Sequence, residues 1–194
     1  TPHCRVHFCR HFLDQLFLTF LENSIFWQND LNVEDNFHAR FSAIDRSYRY
    51  IIRNNDIPSA LWSKRSLHVP QKLDHHAMKK ASKYLVGEHD FSSFRGSGCQ
   101  SKTPIRNLKK IEITKNKDLI LIDLNANAFL LHMVRVIVGT LIMVGKKEIK
   151  PLDLKKILES KDRKLAGKTV ESSGLYYVGP RYPKNFNIPE PKIS

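Results

Sequence analysis

The sequence has few cysteines, few acidic side chains and no apolar run long enough for a membrane helix. Three cysteines occur in 194 residues, and they are Cys4, Cys9 and Cys99. An odd number without disulfide-framework spacing favours a reducing compartment, so we expect a cytoplasmic protein. The longest apolar run, residues 129–145, is interrupted by a histidine and an arginine. It is shorter than the roughly 20 residues that a bilayer-spanning helix needs, so we expect no membrane span.

Signals of processing, repetition and metal binding are also missing or weak. We find no internal repeat and no low-complexity tract. Residues 12–26 are apolar, but they lack a small-residue cleavage pattern and contain Asp14 and Glu22, so we expect no secretory signal. Four potential zinc ligands stand near the start, and they are Cys4, His7, Cys9 and His11. Their spacing is tighter than in familiar zinc modules, so we expect no metal; elemental analysis would test this.

Basic residues strongly outnumber acidic ones. The chain has 32 Lys and Arg against 19 Asp and Glu, a formal net charge of +13 and a pI near 9.8. This balance favours a polyanionic partner, most simply nucleic acid, although a generally lysine-rich composition would produce it too. With 41% hydrophobic residues, the chain can also bury one good core.

Alternating apolar residues predict three strands. Tyr48, Tyr50 and Ile52 fall on one face of the first strand. Residues 107–114 and 118–125 also alternate, and a turn-like Lys-Asn-Lys separates them. This pair of runs predicts a β-hairpin.

Helical spacing predicts the remaining elements. Asp74 is placed to cap a helix that Gly87 would close, and residues 88–104 are predicted as a loop. Later elements are a helix from near Phe129, a short helix over residues 152–160 and a strand over residues 174–182. The main elements then run β-α-β-β-α-β, which predicts an α+β fold of the ferredoxin-like type.

An arginine stands in the middle of the apolar helix. Arg135 shares a predicted helix face with His132 and Gly139. An unpaired guanidinium in a core is costly, so Arg135 must have a partner. We expect a carboxylate in a cleft, held by bidentate hydrogen bonds. His132 is equally consistent with a structural histidine whose hydrogen bonds are satisfied.

The predicted loop after Gly87 mixes aromatic and basic side chains. They are Phe91, Phe94, Arg95, Lys102 and Arg106. Cations meet phosphates and rings stack on unpaired bases, so the mixture is typical of a nucleic-acid site. Two phenylalanines that anchor an ordered surface loop would give the same pattern. We predict RNA contacts at Arg95, Lys102 and Arg106.

Six segments, taken together, carry a family resemblance. They are FHARFSAIDRSYRYII (37–52), GEHDFSSFR (87–95), CQSKTPIRNL (99–108), NANAFLLHMVRVIVGTLIMVG (125–145), KDRKLAGKT (161–169) and GLYYVGPRYP (174–183). In order and spacing they resemble the C-terminal domain of the tRNA pseudouridine synthase A family. We therefore predict that residues 37–194 form this domain, and that residues 1–36 are a remnant of the N-terminal domain or a disrupted segment.

The resemblance implies an isomerase that converts uridine to pseudouridine in the anticodon stem-loop of tRNA without a cofactor. It implies two ferredoxin-like domains facing across a basic cleft, and a homodimer that grips one tRNA. In that family the target base is flipped out of the stack. The resemblance implies that an aspartate attacks at the sugar or at the base, that the glycosidic bond breaks, and that the uracil turns and rejoins through carbon.

The resemblance also assigns roles to individual residues. Tyr48 matches the active-site tyrosine that packs against the target uracil. Arg135 matches the arginine that pairs with the catalytic aspartate, and it would orient that carboxylate and keep it ionised. His38 and Arg40 match a His-Ala-Arg segment beside the cleft, where RNA contact or base displacement is implied.

The family's aspartate has no counterpart in these 194 residues. It belongs to an Arg-Thr-Asp-Ala-Gly-Val-His string that this sequence lacks. An echo at Val6 and His7 would put Pro2 or His3 in its place, or else match a slightly later family segment. We expect this chain alone to be inactive. We also expect removal of an unpaired Arg135 to leave its stability unchanged or improved.

A non-catalytic RNA-binding module is the competing interpretation, because single-strand RNA binders also use basic ferredoxin-like domains with aromatic strand residues. Such a module has no use for Arg135 in an apolar helix. Two departures from the family, Leu131 for a frequent histidine and Val136 for a frequent asparagine, affect hydrogen bonding near the site. If the chain alone were active, Asp14 would be the first candidate nucleophile.

Overall fold

The structure is a computed structural model, and it describes residues 4–9, 27–33 and 35–190. The chain divides into two compact units. Thr1–Asp45 and Val178–Ser194 form what we call the terminal unit, and Arg46–Tyr177 forms the central unit. The predicted domain boundary after residue 36 stays a prediction.

The terminal unit contains strands β1 (Cys4–Cys9) and β2 (Trp27–Val33), which pair antiparallel. Phe37 and Tyr182 are buried together, with ring centroids 4.9 Å apart. Among the described side chains, no group of three or more His, Cys, Asp or Glu could hold a metal ion. Five residues considered above lie outside the described residues, and they are Pro2, His3, His11, Asp14 and Glu22.

The larger sheet among the described residues has six strands. Its strands are β3 (Asp45–Arg53), β4 (Leu67–His68), β5 (Gly87–Asp90), β6 (Ile105–Asn116), β7 (Leu119–Ala126) and β8 (Leu175–Arg181). Neighbouring strands follow the order β4-β3-β7-β6-β5, and β8 also pairs with β3. The β3–β7, β7–β6 and β6–β5 pairs are antiparallel, whereas β3–β4 is parallel.

Three helices accompany this sheet, and they are α1 (His75–Ser82), α2 (Met133–Gly145) and α3 (Pro151–Ser160). Their apolar side chains join those of the strands in one core. A mostly antiparallel sheet combined with helices is an α+β fold, as predicted. No helix in the described ranges has the length and apolarity to cross a bilayer.

The predicted strand face and the predicted hairpin are both confirmed. Tyr50 and Ile52 are fully buried in the core, and Tyr48 packs against it. The hairpin joins β6 to β7 through Lys117 and Asp118, a tighter turn than the predicted Lys-Asn-Lys. Lys117 adopts a left-handed φ of 51°, which two-residue hairpin turns commonly require.

The cap of α1 is also confirmed. The Asp74 carboxylate accepts a hydrogen bond from the amide of Ala77 at 3.0 Å, which satisfies one of the free N–H groups of the first turn. The helix ends at Ser82, before the predicted stop. A single 3₁₀ turn, Lys83–Leu85, follows it, and Gly87 begins β5 with a φ of 115°.

The predicted loop over residues 88–104 is wrong in its first part. Residues up to Asp90 belong to β5, which pairs with β6, and Ser92–Phe94 form a 3₁₀ turn. The sequence of β5, Gly-Glu-His-Asp, has neither apolar alternation nor strand-favouring residues. Its strand conformation comes from pairing with β6, which the local sequence does not reveal.

The predicted start of the apolar helix is also corrected. Helix α2 begins at Met133 rather than near Phe129, and His132 precedes it with a left-handed φ of 60°. His132 therefore does not share a regular helix face with Arg135. Helix α3 agrees with its predicted range, and Pro151 at its first position suits a helix start.

Candidate active site

Arg135 lies in the first turn of α2 and is half-buried. Its Nε donates a hydrogen bond to the carbonyl oxygen of Val170 at 2.6 Å. Its two terminal nitrogens have no hydrogen bond or ion pair with any residue that the structure describes. The partner that the sequence required is thus, within the described chain, a neutral carbonyl on one edge of the guanidinium. No described residue bonds to the other edge, which is the edge that an anion would bind.

Tyr50 bonds to Glu171, the residue that follows Val170 in the chain. Its hydroxyl donates to the carbonyl oxygen of Glu171 at 2.6 Å. Burial raises the pKa of Tyr50 well above its usual value, while the positive charge of Arg135 acts in the opposite direction. Arg135 and Tyr50 are therefore close neighbours. At neutral pH Tyr50 is an uncharged phenol and a fixed structural donor.

Residues 168–171, which we call the carbonyl segment, pack tightly on α2. A Cβ added to Gly139 would overlap the carbonyl oxygen of Lys168. A Cβ added to Gly167 would lie 2.5 Å from the backbone nitrogen of Thr140. Because both glycines lack a side chain, the two backbones can approach each other this closely.

Two hydrogen bonds of the Thr140 side chain hold the backbones together where this close contact begins. Its Oγ1 accepts from the amide of Gly167 at 2.9 Å, and its hydroxyl donates to the carbonyl of Val136 at 2.9 Å. Every polar atom of this buried side chain is thereby used. These hydrogen bonds hold the carbonyl segment against α2, so that the carbonyl oxygen of Val170 lies beside Arg135.

Tyr48 lies two residues before Tyr50 on the same face of β3. Its ring is half-buried between Phe129 and Tyr177, with both centroid distances 5.1 Å. Burial raises the pKa of Tyr48, and the charge of Arg46 acts in the opposite direction. The Tyr48 hydroxyl makes no hydrogen bond to a described residue. Tyr48 thus presents an aromatic ring with a neutral hydroxyl.

The three predicted RNA-binding cations of the loop are not equivalent. Lys102 is exposed, whereas Arg106 is only 9% exposed. Arg106 donates to the carbonyl of Thr103 at 3.0 Å and to the Ser101 hydroxyl at 2.5 Å. Arg95 donates to two loop carbonyls, those of Cys99 and Ser101, at 2.6 and 2.8 Å. Both arginines thus order the loop, and RNA contact by all three cations stays a prediction.

His38 and Arg40 lie in the terminal unit, and both are exposed. The Nδ1 atom of His38 accepts from the amides of Arg40 and Phe41 at 3.2 and 3.3 Å. This pair of bonds fixes a tight turn around the histidine ring. Their predicted contact with RNA stays a prediction.

Sequence reasoning did not identify Tyr50 or the glycine pair as parts of this site. The quoted segment over residues 161–169 contains Gly167, but its contact with Gly139 joins distant parts of the chain. The sequence could have indicated Tyr50 as a site residue, because Tyr50 shares a strand face with Tyr48.

The two residues that depart from the family pattern, Leu131 and Val136, also have defined positions in the structure. Val136 is fully buried in the core, and the Leu131 amide donates to Cys99 Sγ at 3.5 Å.

Comparison with known proteins shows the family to which this chain belongs. A family profile described as tRNA pseudouridine synthase matches residues 81–183. The tRNA pseudouridine synthase A of Vibrio campbellii is 48% identical over 164 residues, which cover 84% of this chain and 62% of that protein. The Coxiella burnetii protein of the same name is 47% identical over 166 residues, covering 86% and 63%. The chain belongs to the tRNA pseudouridine synthase family. It spans about three-fifths of the length of these curated relatives.

Proposed function

We propose that this chain provides one wall of the active site of a tRNA pseudouridine synthase, an isomerase that converts uridine to pseudouridine in the anticodon stem-loop of tRNA. The observation that carries the proposal is Arg135. Its Nε is anchored on Val170, and its terminal nitrogens have no partner among the described residues. A carboxylate nucleophile brought to that edge would receive two parallel charge-assisted hydrogen bonds.

The chemistry follows from that arrangement. A fixed guanidinium beside an aspartate lowers the pKa of the carboxyl group and keeps it in its nucleophilic, charged form. Tyr48 packs against the uracil ring of the flipped-out uridine. The aspartate attacks, and the bond between C1′ of the ribose and N1 of the uracil breaks. The uracil turns, its C5 bonds to C1′, the aspartate is released, and the C5 proton is lost to water. No step in this sequence calls for a cofactor.

The net charge of the chain supports the same proposal. A net charge of +13 attracts a polyanion, and exposed Lys102, His38 and Arg40 are the candidate contacts with tRNA. Arg95 and Arg106 would contribute by ordering the loop that carries Lys102. A homodimer that grips one tRNA, and a cytoplasmic location, belong to the same proposal.

We further propose that the fold is ferredoxin-like and that residues 37–194 are the C-terminal domain. The strand order β8-β3-β7-β6 supports the fold. If β3, β6, β7 and β8 are counted as strands 1 to 4 along the chain, their order across the sheet is 4-1-3-2, as in a split βαβ arrangement. The competing RNA-binding module is less well supported. Sheet-surface RNA binders stack bases on exposed strand aromatics, whereas Tyr50 is fully buried and Tyr48 is half-buried.

The experiment measures tritium release from 5-tritiated uridine in tRNA. We expect no release with the 194-residue chain alone. We expect activity when the chain is fused to the complete N-terminal domain of the Vibrio campbellii relative. In that fusion, Arg135→Leu should lower activity by about 100-fold or more, and Arg135→Lys should restore only part of it, because lysine offers no bidentate fork.

The controls separate this result from misfolding. Circular dichroism of each fusion reports whether the fold is intact, and tRNA affinity reports whether substrate still binds. Full activity in a folded Arg135→Leu fusion would contradict the proposed role of Arg135. Activity in the chain alone would mean that another acid, with Asp14 first, is the nucleophile.

A further inference from the structure

Phe41, an aromatic side chain of the terminal unit, is largely exposed to solvent. Phe41 is 76% exposed, although a phenylalanine of that exposure gains almost nothing from the hydrophobic effect. The His38 ring lies 4.4 Å from the Phe41 ring, and the Arg40 guanidinium carbon lies 5.8 Å from its centroid. The ring is therefore displayed between an imidazole and a cation rather than covered by them.

The turn that displays Phe41 is held rigidly. The amides of Arg40 and Phe41 both donate to His38 Nδ1, which assigns the ring proton of the neutral histidine to Nε2. On the other side of the turn, the His38 amide donates to the Ser42 hydroxyl at 2.9 Å, and the Ser42 amide donates to the His38 carbonyl at 2.8 Å. The position of Phe41 is thus set by four hydrogen bonds around one histidine.

The turn is also supported from within the terminal unit. Phe37, immediately before it, is buried against Tyr182 and Phe186, with ring centroids 4.9 and 5.1 Å away. The Tyr182 hydroxyl donates to the carbonyl of Ala39 at 2.7 Å. An apolar anchor and a hydrogen bond therefore hold the base of the turn while its tip carries the exposed ring.

We propose that Phe41 is a stacking platform for an unpaired RNA base, a binding subsite additional to Tyr48 and to the cations named above. This inference rests on the proposed function, because it takes the partner to be RNA. A preformed aromatic face loses little side-chain entropy on binding, and every nucleobase has a π face that can stack on it. The adjacent Arg40 supplies the positive charge that attracts the neighbouring phosphate, in a chain of net charge +13.

The test compares two RNA probes with the full 194-residue chain. One is an RNA hairpin with 2-aminopurine in its unpaired loop, and the other is a fully paired duplex with the same number of phosphates. Replacing Phe41 by leucine keeps an apolar side chain but removes the π face. We expect Phe41→Leu to weaken hairpin binding by about tenfold, within the range measured for single stacking contacts, and to leave duplex binding unchanged.

Matched variants make the result specific. Phe41→Trp should keep both the affinity and the quenching of 2-aminopurine fluorescence that stacking produces, whereas Phe41→Leu should lose the quenching. Leu61→Ala is the control for loss of an exposed apolar side chain, because Leu61 is 79% exposed and should not affect either probe.

Several outcomes would overturn the inference. Equal hairpin affinity for wild type and Phe41→Leu would exclude stacking, and equal losses on hairpin and duplex would indicate a general electrostatic or structural effect. A change in the sedimentation of the free protein on Phe41→Leu would identify a contact between copies of the chain instead. Failure of the wild-type chain to bind either probe would also count against the proposed function itself, which the other outcomes leave intact.

Discussion

Replacing Gly139 by alanine tests whether close backbone packing builds the candidate active site. The added Cβ would overlap the Lys168 carbonyl oxygen and would lie 3.2 Å from the carbonyl carbon. These atoms belong to the backbone, so they cannot rotate away as a side chain would. The hydrogen bonds from Gly167 to Thr140 and from Arg135 to Val170 further restrain the carbonyl segment.

The magnitude follows from two opposing effects. Overpacking a buried contact lowers the free energy of unfolding by about 1–3 kcal/mol. Because the backbone atoms around Gly139 cannot move aside, we expect overpacking in Gly139→Ala to cost about 3 kcal/mol or more. Alanine has the better helix propensity by about 1 kcal/mol, which offsets part of this cost. We therefore expect a net loss of about 2 kcal/mol, or a fall of roughly 4–8 °C in Tm for a chain of this length.

The matched control is Gly145→Ala in the same helix. There the added Cβ would lie 2.8 Å from Met78 Sδ and 3.2 Å from Leu73 Cδ2, which are ends of flexible side chains. They can move aside, so we expect a change within about 1 kcal/mol. Thermal unfolding followed by circular dichroism measures both variants. Equal melting temperatures for the two would refute the idea that the Gly139 contact is a rigid one.

Two further predictions concern the cap of α1 and the net charge. Asp74→Ala should cost about 1 kcal/mol at neutral pH in urea unfolding, whereas Asp74→Asn, which also caps, should cost less. The Ala77 amide lowers the pKa of Asp74, so the ionised cap stabilises the fold above the usual aspartate range and loses this contribution as pH falls through the lowered pKa. The gap between wild type and Asp74→Asn should accordingly narrow in acid, and a constant gap would argue against an ionic contribution. For the net charge, tRNA affinity in filter binding should fall at least about tenfold between ~50 and ~200 mM salt, and a salt-independent affinity would count against a basic RNA surface.

The sequence was a good guide wherever the determining contacts are local. The alternation around Tyr48 and Tyr50 predicted the strand and its buried face, and Asp74 predicted the helix start through its own cap. Strand β5 could not be predicted in the same way, because its residues adopt a strand only through pairing with β6. The sequence of a segment predicts its conformation only when contacts within that segment determine the conformation.

The candidate site was predicted less completely for a related reason. The sequence alone does not distinguish a cationic side chain that faces solvent from one that bonds to a backbone carbonyl. Arg106 was therefore predicted as an RNA contact, although its guanidinium mainly bonds its own loop. Arg135 was predicted to need a carboxylate, and the described chain supplies the Val170 carbonyl. The sequence expectation for Arg135→Leu changes accordingly, because the variant would leave that carbonyl without its donor and should destabilise the chain by about 1 kcal/mol.

An anchor made of an amide carbonyl has a consequence for the charge around Arg135. The Val170 oxygen fixes the direction of Arg135 but carries only a partial negative charge, so this contact does not neutralise the guanidinium. A carboxylate in the same position would fix the arginine equally well, yet it would neutralise it and compete with any incoming acid. Amide carbonyls also gain no proton across the physiological range, so this anchoring does not vary with pH. Among the residues that the structure describes, the anchor of Arg135 holds the guanidinium in place without neutralising it, so its positive charge can attract an incoming anion.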